Sequence, residues 1–461
     1  MSKSAVKDMT QGSPIKLILS FFMPLLLGML FQQFYSMMDT IIVGKFLGVQ
    51  ALASVGSTGS INFMIIGFCM GVCSGFAIPI AQCFGAKEEH ALRKYAANAC
   101  WLATVFAIIM TIVVCILCAD ILRWMNTPSD IIQGAYDYIF VIFLGIPVIY
   151  LYNLLSGIIR SLGDSKSPLL FLIISSLLNI VLDLALILIF HMGVAGAAWA
   201  TVISQGISGI LCLLYMKKKY EILKISKEEW KIDLHCMIRL CNMGIPMGLQ
   251  YSITAIGSVI LQTAVNTLGS AAVASITAGS KVSMFFCCAF DAMGSTMSTY
   301  SGQNLGARNL KRITQGVLSC CIIGLLYALF AFGVLFLFGS QVALLFLDAD
   351  ETYILDNVRQ LLIINSAFYF PLALVDIFRF TIQGLGFSKL AILAGVCEMA
   401  ARTLVGFYLV PAVGYIGACF SSPLAWIAAD LFLIPAYFFV LKTLERKDSN
   451  LKNHTRSYQT A

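Results

Sequence analysis

Several acidic residues of this sequence lie inside long apolar stretches, where a carboxylate needs a partner or water. Placing such a charge in hydrocarbon costs at least about 2.5–3.5 kcal/mol on insertion scales. Each of these residues is therefore a candidate for binding a cation, carrying a proton or pairing with a base. They are Asp39, Asp183, Asp291, Asp376, Glu398 and Asp430.

Spacing along the chain joins two of these acids to a second polar residue. Asn179 and Asp183 are four residues apart, so they share one face of a helix. Glu398 and Arg402 have the same spacing, in the order that favours an ion pair. We predict a structural ion pair at Glu398 and Arg402, because a buried charge that is paired needs no ligand.

The other acids have no clear local partner. Asp376 and Arg379 are three residues apart, which leaves open whether they pair or whether Arg379 reaches the membrane boundary. Lys281 precedes Asp291 by ten residues, about 15 Å along a helix, so these two do not pair directly. We predict that Asp291 lines a cavity and attracts cationic substrate; the alternative is that it pairs with another helix. The roles of Asp376 and Asp430 stay open.

The composition indicates which elements hold these residues. Of 461 residues, 59% are hydrophobic and 11% are charged, against roughly 25% charged in a soluble chain. A soluble, fibrous or disordered protein is therefore excluded, and the bilayer is the expected solvent. At about 20 residues per span, we predict an all-α membrane protein with twelve transmembrane helices, at 15–44, 52–80, 95–118, 131–156, 168–191, 194–216, 239–268, 273–300, 313–338, 353–383, 388–411 and 415–441.

The positive charges predict an orientation for these spans. With the twelve spans placed as above, 25 of the 30 Lys and Arg residues fall at one side of the membrane. Because cytoplasmic loops are rich in Lys and Arg, we predict that both termini are cytoplasmic in a bacterial inner membrane. The net charge of +7 thus reflects topology and does not indicate a nucleic-acid partner.

The two halves of the sequence resemble each other at an offset of about 221 residues. The matching pieces are 81–87 with 302–308, 160–166 with 383–389, 193–197 with 414–418, and Pro24 with Pro246. Since each half holds six spans, both enter the membrane from the same side, as in parallel repeats. We predict a cytoplasmic N-terminus (1–14), an N-lobe (15–216), a cytoplasmic linker (217–238), a C-lobe (239–441) and a cytoplasmic tail (442–461), with lobes that rock to give alternating access.

Several motifs resemble those of the multidrug and toxic compound extrusion (MATE) family. They are MDTIIVGKFLG at 38–48, the Gln-x-x-Gly-Ala motif after spans two and eight, GIIRSLGD at 157–164 and GVAGA at 193–197. The resemblance covers about residues 12–442 and implies efflux of organic cations in exchange for Na⁺ or H⁺. Span seven carries no acidic residue, unlike the NorM-like branch, so the chain is more similar to the DinF-like and other bacterial branches.

The same resemblance implies a cation site in the N-lobe. The family forms it from Asp39 in span one, Asn179 and Asp183 in span five and the Thr201 hydroxyl in span six. Oxygen ligands suit a hard cation such as Na⁺, and two nearby carboxylates also suit a proton. The alternative is a polar cluster that only holds three helices together. No cofactor is expected beyond the coupling ion.

Soft and aromatic side chains suit a promiscuous exporter. Tyr35 in span one, and Met284 and Phe285 in span eight, are candidates for lining a substrate cavity. Aromatic faces hold organic cations, and Met adapts to varied shapes. The alternative for each is packing or contact with lipid.

Function classes other than a cation antiporter fit less well. A lipid-linked saccharide flippase of the same superfamily needs a basic cavity for pyrophosphate, whereas we assign the six acids named above and only two bases, Lys281 and Arg402, to the interior of the spans. The four His residues are scattered, and neither a metalloprotease nor a nucleotide-binding motif is present, so we predict no enzyme. A channel is disfavoured by the repeat. Both lobes lie in one chain, so we predict a monomer that binds small organic cations and the lipid bilayer.

Overall fold

A computed structural model describes residues 7–125, 127–344 and 352–459, and side chains as far as residue 450. Within these ranges the regular structure is helical, with no β-strand. The predicted terminal segments 1–14 and 442–461 lie partly outside them. The helices are α1 (Pro14–Leu47), α2 (Val49–Ser57), α3 (Gly59–Ala86), α4 (Glu89–Trp124), α5 (Ile132–Leu144), α6 (Ile146–Ser161), α7 (Lys166–Leu184), α8 (Gly193–Lys219), α9 (Leu234–Asn266), α10 (Ser270–Gly306), α11 (Leu310–Ala343), α12 (Thr352–Ala367), α13 (Tyr369–Gly384), α14 (Ser388–Leu404), α15 (Val410–Val413), α16 (Tyr415–Cys419) and α17 (Ser421–Gln459).

These helices form the twelve predicted spans. Ten described helices are long and apolar enough to cross a membrane, and two further spans are bent pairs. The pair α5 and α6 bends by 46°, and the pair α12 and α13 bends by 50°. The prediction of an all-α membrane protein with twelve spans is therefore confirmed. Several helices run past the predicted ends, as α10 does with its 37 residues.

The repeat that the sequence indicates recurs in the backbone. Four pairs of residues with a positive φ angle are separated by about 221 residues: Gly48 with Gly269, Lys87 with Arg308, Gly163 with Gly386, and Gly193 with Gly414. Lys87 and Arg308 adopt this rare conformation at φ 60° and 54° although both carry a Cβ. The two halves therefore turn at corresponding positions.

The described contacts divide the chain into two units. The first unit consists mainly of Met23–Phe84 and Glu88–Ser252, and the second mainly of Met9–Phe22 and the chain from Ile253 onward. Helix α1 therefore begins in the second unit and continues in the first. Helix α9 begins in the first unit and continues in the second. The boundaries proposed above for the lobes and for the 217–238 linker stay a prediction.

Within the first unit, α3 packs closely against the start of α9 through glycines. A Cβ at Gly71 would lie 2.5 Å from the carbonyl oxygen of Met247, and one at Gly75 would lie 2.5 Å from the Cα of Gly244. Because lipid tails are as apolar as the helices, membrane helices associate by such close backbone packing. These glycines hold the beginning of α9 to the first unit.

Replacing Gly71 with alanine is therefore expected to destabilise the protein by about 1–3 kcal/mol, the usual cost of overpacking. Thermal unfolding of purified protein in detergent measures this as a lower midpoint. Gly56→Ala in α2 is the matched control, because no atom lies within 4 Å of a Cβ built there. Equal midpoints for the two variants would contradict the proposed packing.

The connection between α8 and α9 is attached to the beginning of α4, within the first unit. Arg93 donates from Nε to Glu229 at 2.7 Å, Lys94 forms an ion pair with Asp233, and the Asp233 backbone N–H donates to Asn98 at 2.9 Å. The hydrogen bond from Lys94 lowers the pKa of Asp233 to about 2. Because this folded-state pKa is depressed, the contribution of the pair is present above the ordinary value near pH 4 and is lost as the pH falls towards 2.

Candidate functional site

The first unit brings together the four residues that the sequence places in a cation site. Asp39 lies on α1, Asn179 and Asp183 on α7, and Thr201 on α8. Asp39, Asn179 and Asp183 are 8%, 1% and 0% exposed. The Asn179 side-chain amide donates to the Thr201 hydroxyl at 3.4 Å, and the charges of Asp39 and Asp183 interact. The site is buried and carries two carboxyl groups.

Most oxygen atoms of this cluster lack a hydrogen bond. Among the described residues, none donates to Oδ1 of Asp39, Oδ1 of Asn179 or either carboxylate oxygen of Asp183, and all four atoms are shielded from solvent. Buried polar atoms are normally satisfied, and a buried charge without a partner is costly. Four such oxygens in one place fit a small hard cation, or protons on the carboxyl groups.

An irregular turn of helix follows the acid pair on α7. The chain forms a π-helical turn over Ala185–Ile189, directly after Asp183 and the end of α7. A second π-helical turn, Val405–Leu409, follows α14 in the other half. Such turns are rare and occur mostly at functional sites. The sequence analysis predicted regular helices as far as residues 191 and 411 and did not detect these π-helical turns. One extra residue in a helical turn leaves the run of apolar residues unchanged, so hydropathy does not reveal it.

Polar and aromatic side chains surround the acid pair. Tyr35 lies one turn before Asp39 on α1, is half-buried, and interacts with Gln205 and with both carboxylates. Tyr138 on α5 is buried and within electrostatic range of the same two acids. Sequence reasoning missed Gln205 and Tyr138. Gln205 is four residues after Thr201 in an apolar span, which was a usable signal, whereas Tyr138 offered none.

The second unit holds a buried ion pair in which the main partner of Glu398 is Arg379 and not, as was expected, Arg402. Glu398 on α14 pairs with Arg379 on α13, and both side chains are buried. Arg402 lies farther from Glu398, at 3.9 Å, and also donates to the Thr254 carbonyl at 3.4 Å. The sequence left open whether Arg379 pairs with Asp376 or reaches the membrane boundary. In the structure Arg379 is buried and pairs with Glu398.

Three more acids surround this ion pair. Asp376 on α13 and Asp430 on α17 are buried, whereas Asp291 on α10 is exposed. Arg379 interacts electrostatically with all three. No described residue donates a hydrogen bond to Oδ1 of Asp430. Four carboxyl groups therefore face two arginines, which leaves a surplus of acid in this cluster.

The structure places the remaining candidates for a substrate cavity on α10. Met284 is 48% exposed, and its neighbour Phe285 is half-buried. Both stand on the helix that carries Asp291. Exposure alone does not distinguish contact with lipid from contact with cargo, so their role stays a prediction.

Known proteins resemble this chain along most of its length. A family model described as MatE matches residues 24–185 and again residues 246–408. The probable multidrug resistance protein YoeA of Bacillus subtilis is 29% identical, covering 72% of this chain and 73% of its own. The probable multidrug resistance protein YpnP of Bacillus subtilis is 30% identical over 66% of this chain and 68% of its own. A solved outward-facing multidrug resistance MATE family transporter of the MOP superfamily has a TM-score of 0.89 at 22% identity, covering 96% of this chain and 99% of its own, which establishes the fold.

Proposed function

Because this chain belongs to the MatE family, we propose that it is an antiporter that exports amphipathic organic cations in exchange for Na⁺ or H⁺. It is a multi-pass membrane protein, and its Bacillus relatives are named as multidrug resistance proteins. The observation that carries the proposal is the set of four buried, unsatisfied oxygens at Asp39, Asn179 and Asp183. A driving ion that binds there supplies the missing positive charge.

Coupling requires that the ion distinguishes two conformations. A ligand that binds inward-open and outward-open states equally shifts neither. We therefore assign Na⁺ or H⁺ to Asp39 and Asp183 in one state and expect the ion to compete there, directly or through conformation, with bound cargo. The surplus of acid in the cluster around Arg379 supports cationic cargo in the same way.

Orientation and assembly complete the proposal. The Lys and Arg bias supports cytoplasmic termini and the bacterial inner membrane. We propose a monomer that needs no cofactor and catalyses no covalent reaction, since the model of a transport family matches residues 24–185 and 246–408.

The competing function is a lipid-linked saccharide flippase. Such a protein needs bases to hold pyrophosphate. With Arg379, which is buried in α13, three bases stand against the six acids assigned to the interior of the spans. This balance favours cationic cargo.

Transport by reconstituted vesicles tests the proposal. We expect a fluorescent organic cation such as ethidium to be exported when a sodium or a proton gradient is imposed separately, and the gradient that drives export identifies the ion. Protein-free vesicles are the control. Export that ignores both gradients, or movement of lipid-linked saccharides in preference to cations, would favour the flippase.

A further inference from the structure

The connection between α8 and α9 has two faces of different chemistry. Glu229 and Asp233 turn towards the first unit, where they form ion pairs with two bases of α4. Trp230, Ile232 and Leu234 alternate with these acids along the chain and are exposed, the last two at 67% and 71%. A segment that runs through water mostly exposes polar side chains, so this apolar face indicates a partner.

Hydrogen bonds hold the apolar face in place. The N–H groups of Glu229 and Trp230 donate to the Ser226 carbonyl at 3.1 and 3.2 Å, and the Ser226 N–H donates to the Glu229 carboxylate at 2.8 Å. The indole N–H of Trp101 on α4 donates to the Trp230 carbonyl at 3.1 Å. The two indole rings also meet edge to face, with centroids 6.2 Å apart. The face is therefore a preformed surface, fixed to α4.

The position of Trp101 on α4 indicates the depth of this surface in the bilayer. Trp101 and Trp124 are exposed and lie 23 residues apart, about 35 Å along a helix, and the hydrocarbon core is about 30 Å thick. Exposed apolar residues form a stripe between them: Val105, Ile108, Ile112 and Ile116. Because tryptophan is enriched at both membrane interfaces, Trp101 and the attached Trp230 mark one of these interfaces.

Exposed positive charge accompanies the apolar face. Between the end of α8 and residue 231, six exposed lysines stand against two exposed glutamates: Lys217, Lys218, Lys219, Lys224, Lys227 and Lys231 against Glu221 and Glu228. Lys227 and Lys231 flank Trp230 in the sequence. Clusters of lysine next to a membrane attract the phosphate groups of anionic lipids. The charge of this surface is therefore complementary to an anionic leaflet.

We propose that the connection between α8 and α9 is a docking surface for anionic phospholipids of the membrane. Lys227 and Lys231 bind the phosphate groups, and Trp230, Ile232 and Leu234 lie in the interface between headgroups and acyl chains. Stable binding at a membrane surface needs two such signals, one apolar and one basic. The alternative occupant is a soluble protein, which fits less well because Trp230 lies at the depth of the headgroups. This inference goes beyond the proposed export function.

Quenching of Trp230 fluorescence by brominated lipids tests the proposal. The full chain is reconstituted in vesicles of equal parts phosphatidylglycerol and phosphatidylcholine, with bromine on the acyl chains of one lipid or of the other. Because the chain has five tryptophans, the Trp230 signal is the difference between each protein and its Trp230→Phe version. We expect brominated phosphatidylglycerol to quench Trp230 more strongly than brominated phosphatidylcholine does. The two quenching values give the affinity ratio of the anionic lipid to the zwitterionic lipid.

Removing the two lysines beside Trp230 is expected to lower this ratio. Lys227→Gln combined with Lys231→Gln should reduce it about fivefold, which is the effect of one lysine near an anionic surface. Lys45→Gln is the matched control, because it removes an exposed lysine in the last turn of α1, and it should keep the wild-type ratio. High salt should lower the wild-type ratio as well, since it screens exposed charges.

Three results would overturn the proposal. If aqueous iodide quenches Trp230 and brominated lipid does not, the apolar face lies in water and is left to a soluble partner. If both brominated lipids quench Trp230 equally, or if the double lysine variant keeps the wild-type ratio, the surface does not recognise anionic lipid. Thermal midpoints check that the variants fold, and should the double variant not fold, the salt dependence of the wild-type ratio decides. No gradient is imposed, so the outcome is independent of antiport.

Discussion

Replacing Asp39 or Asp183 with asparagine is expected to reduce gradient-driven export by about 10- to 100-fold, the range of a typical coupling free energy. Each substitution removes a negative charge and keeps the size of the side chain. A cation or proton then loses the group that holds it, so the driving gradient no longer acts on the transporter.

Neither variant is expected to unfold. The carboxylate oxygens of Asp183 and Oδ1 of Asp39 accept no hydrogen bond from a described residue, and a neutral amide is cheaper to bury than a charge. Ethidium export by vesicles measures activity, and the thermal midpoint measures folding. Asp130→Asn, an exposed acid of the same unit, is the matched control. Full export by either test variant would remove that residue from the coupling site.

Replacing Arg379 with methionine is expected to destabilise the protein by about 3–5 kcal/mol, the usual cost of stranding one partner of a buried ion pair. Glu398 would then keep only the weaker contact with Arg402 at 3.9 Å. Arg402→Met is expected to cost less for the same reason. The double variant Arg379→Met with Glu398→Gln is expected to recover part of the loss, since Glu398 then no longer carries a stranded charge.

Thermal unfolding of the wild type, Arg379→Met, Glu398→Gln and the double variant gives the coupling between Arg379 and Glu398 as a double-mutant cycle. The control is Lys389→Met, because it removes an exposed base at the beginning of α14. If Arg379→Met is as stable as wild type while its ion dependence changes, Glu398 is a coupling residue and its structural role is refuted.

The spans were predictable because hydropathy is a local property. Each predicted segment coincides with a described helix or bent pair, and the repeat is visible as matched short motifs. The bends at Gly145 and Phe368 each lie just before a proline, Pro147 and Pro371, which is a local signal that hydropathy does not use. A hydropathy window averages over residues and does not register a change of direction.

Only part of the candidate site could be predicted from the sequence. Helix geometry alone places Asn179 and Asp183 on one face, but Asp39 joins them from another helix, and only resemblance to a family indicated that. The partner of Arg379 was missed because Glu398 is nineteen residues away on another helix. A rule based on spacing within one helix finds Arg402 first. Contacts between helices depend on tertiary packing, which one sequence does not contain.

Helices α1 and α9 each begin in one unit and continue in the other, and this has a consequence for biosynthesis. The first unit includes residues up to Ser252, and the second includes Met9–Phe22. During synthesis, the first unit therefore lacks its last segment until the chain has emerged as far as Ser252, beyond the 217–238 connection. The second unit includes a segment, Met9–Phe22, that is made near the start. A gene cut in that connection would yield two fragments, each missing part of its own unit and carrying part of the other. If the two halves arose by duplication, each half of the fused chain had to supply a helix segment to the unit formed mainly by the other half.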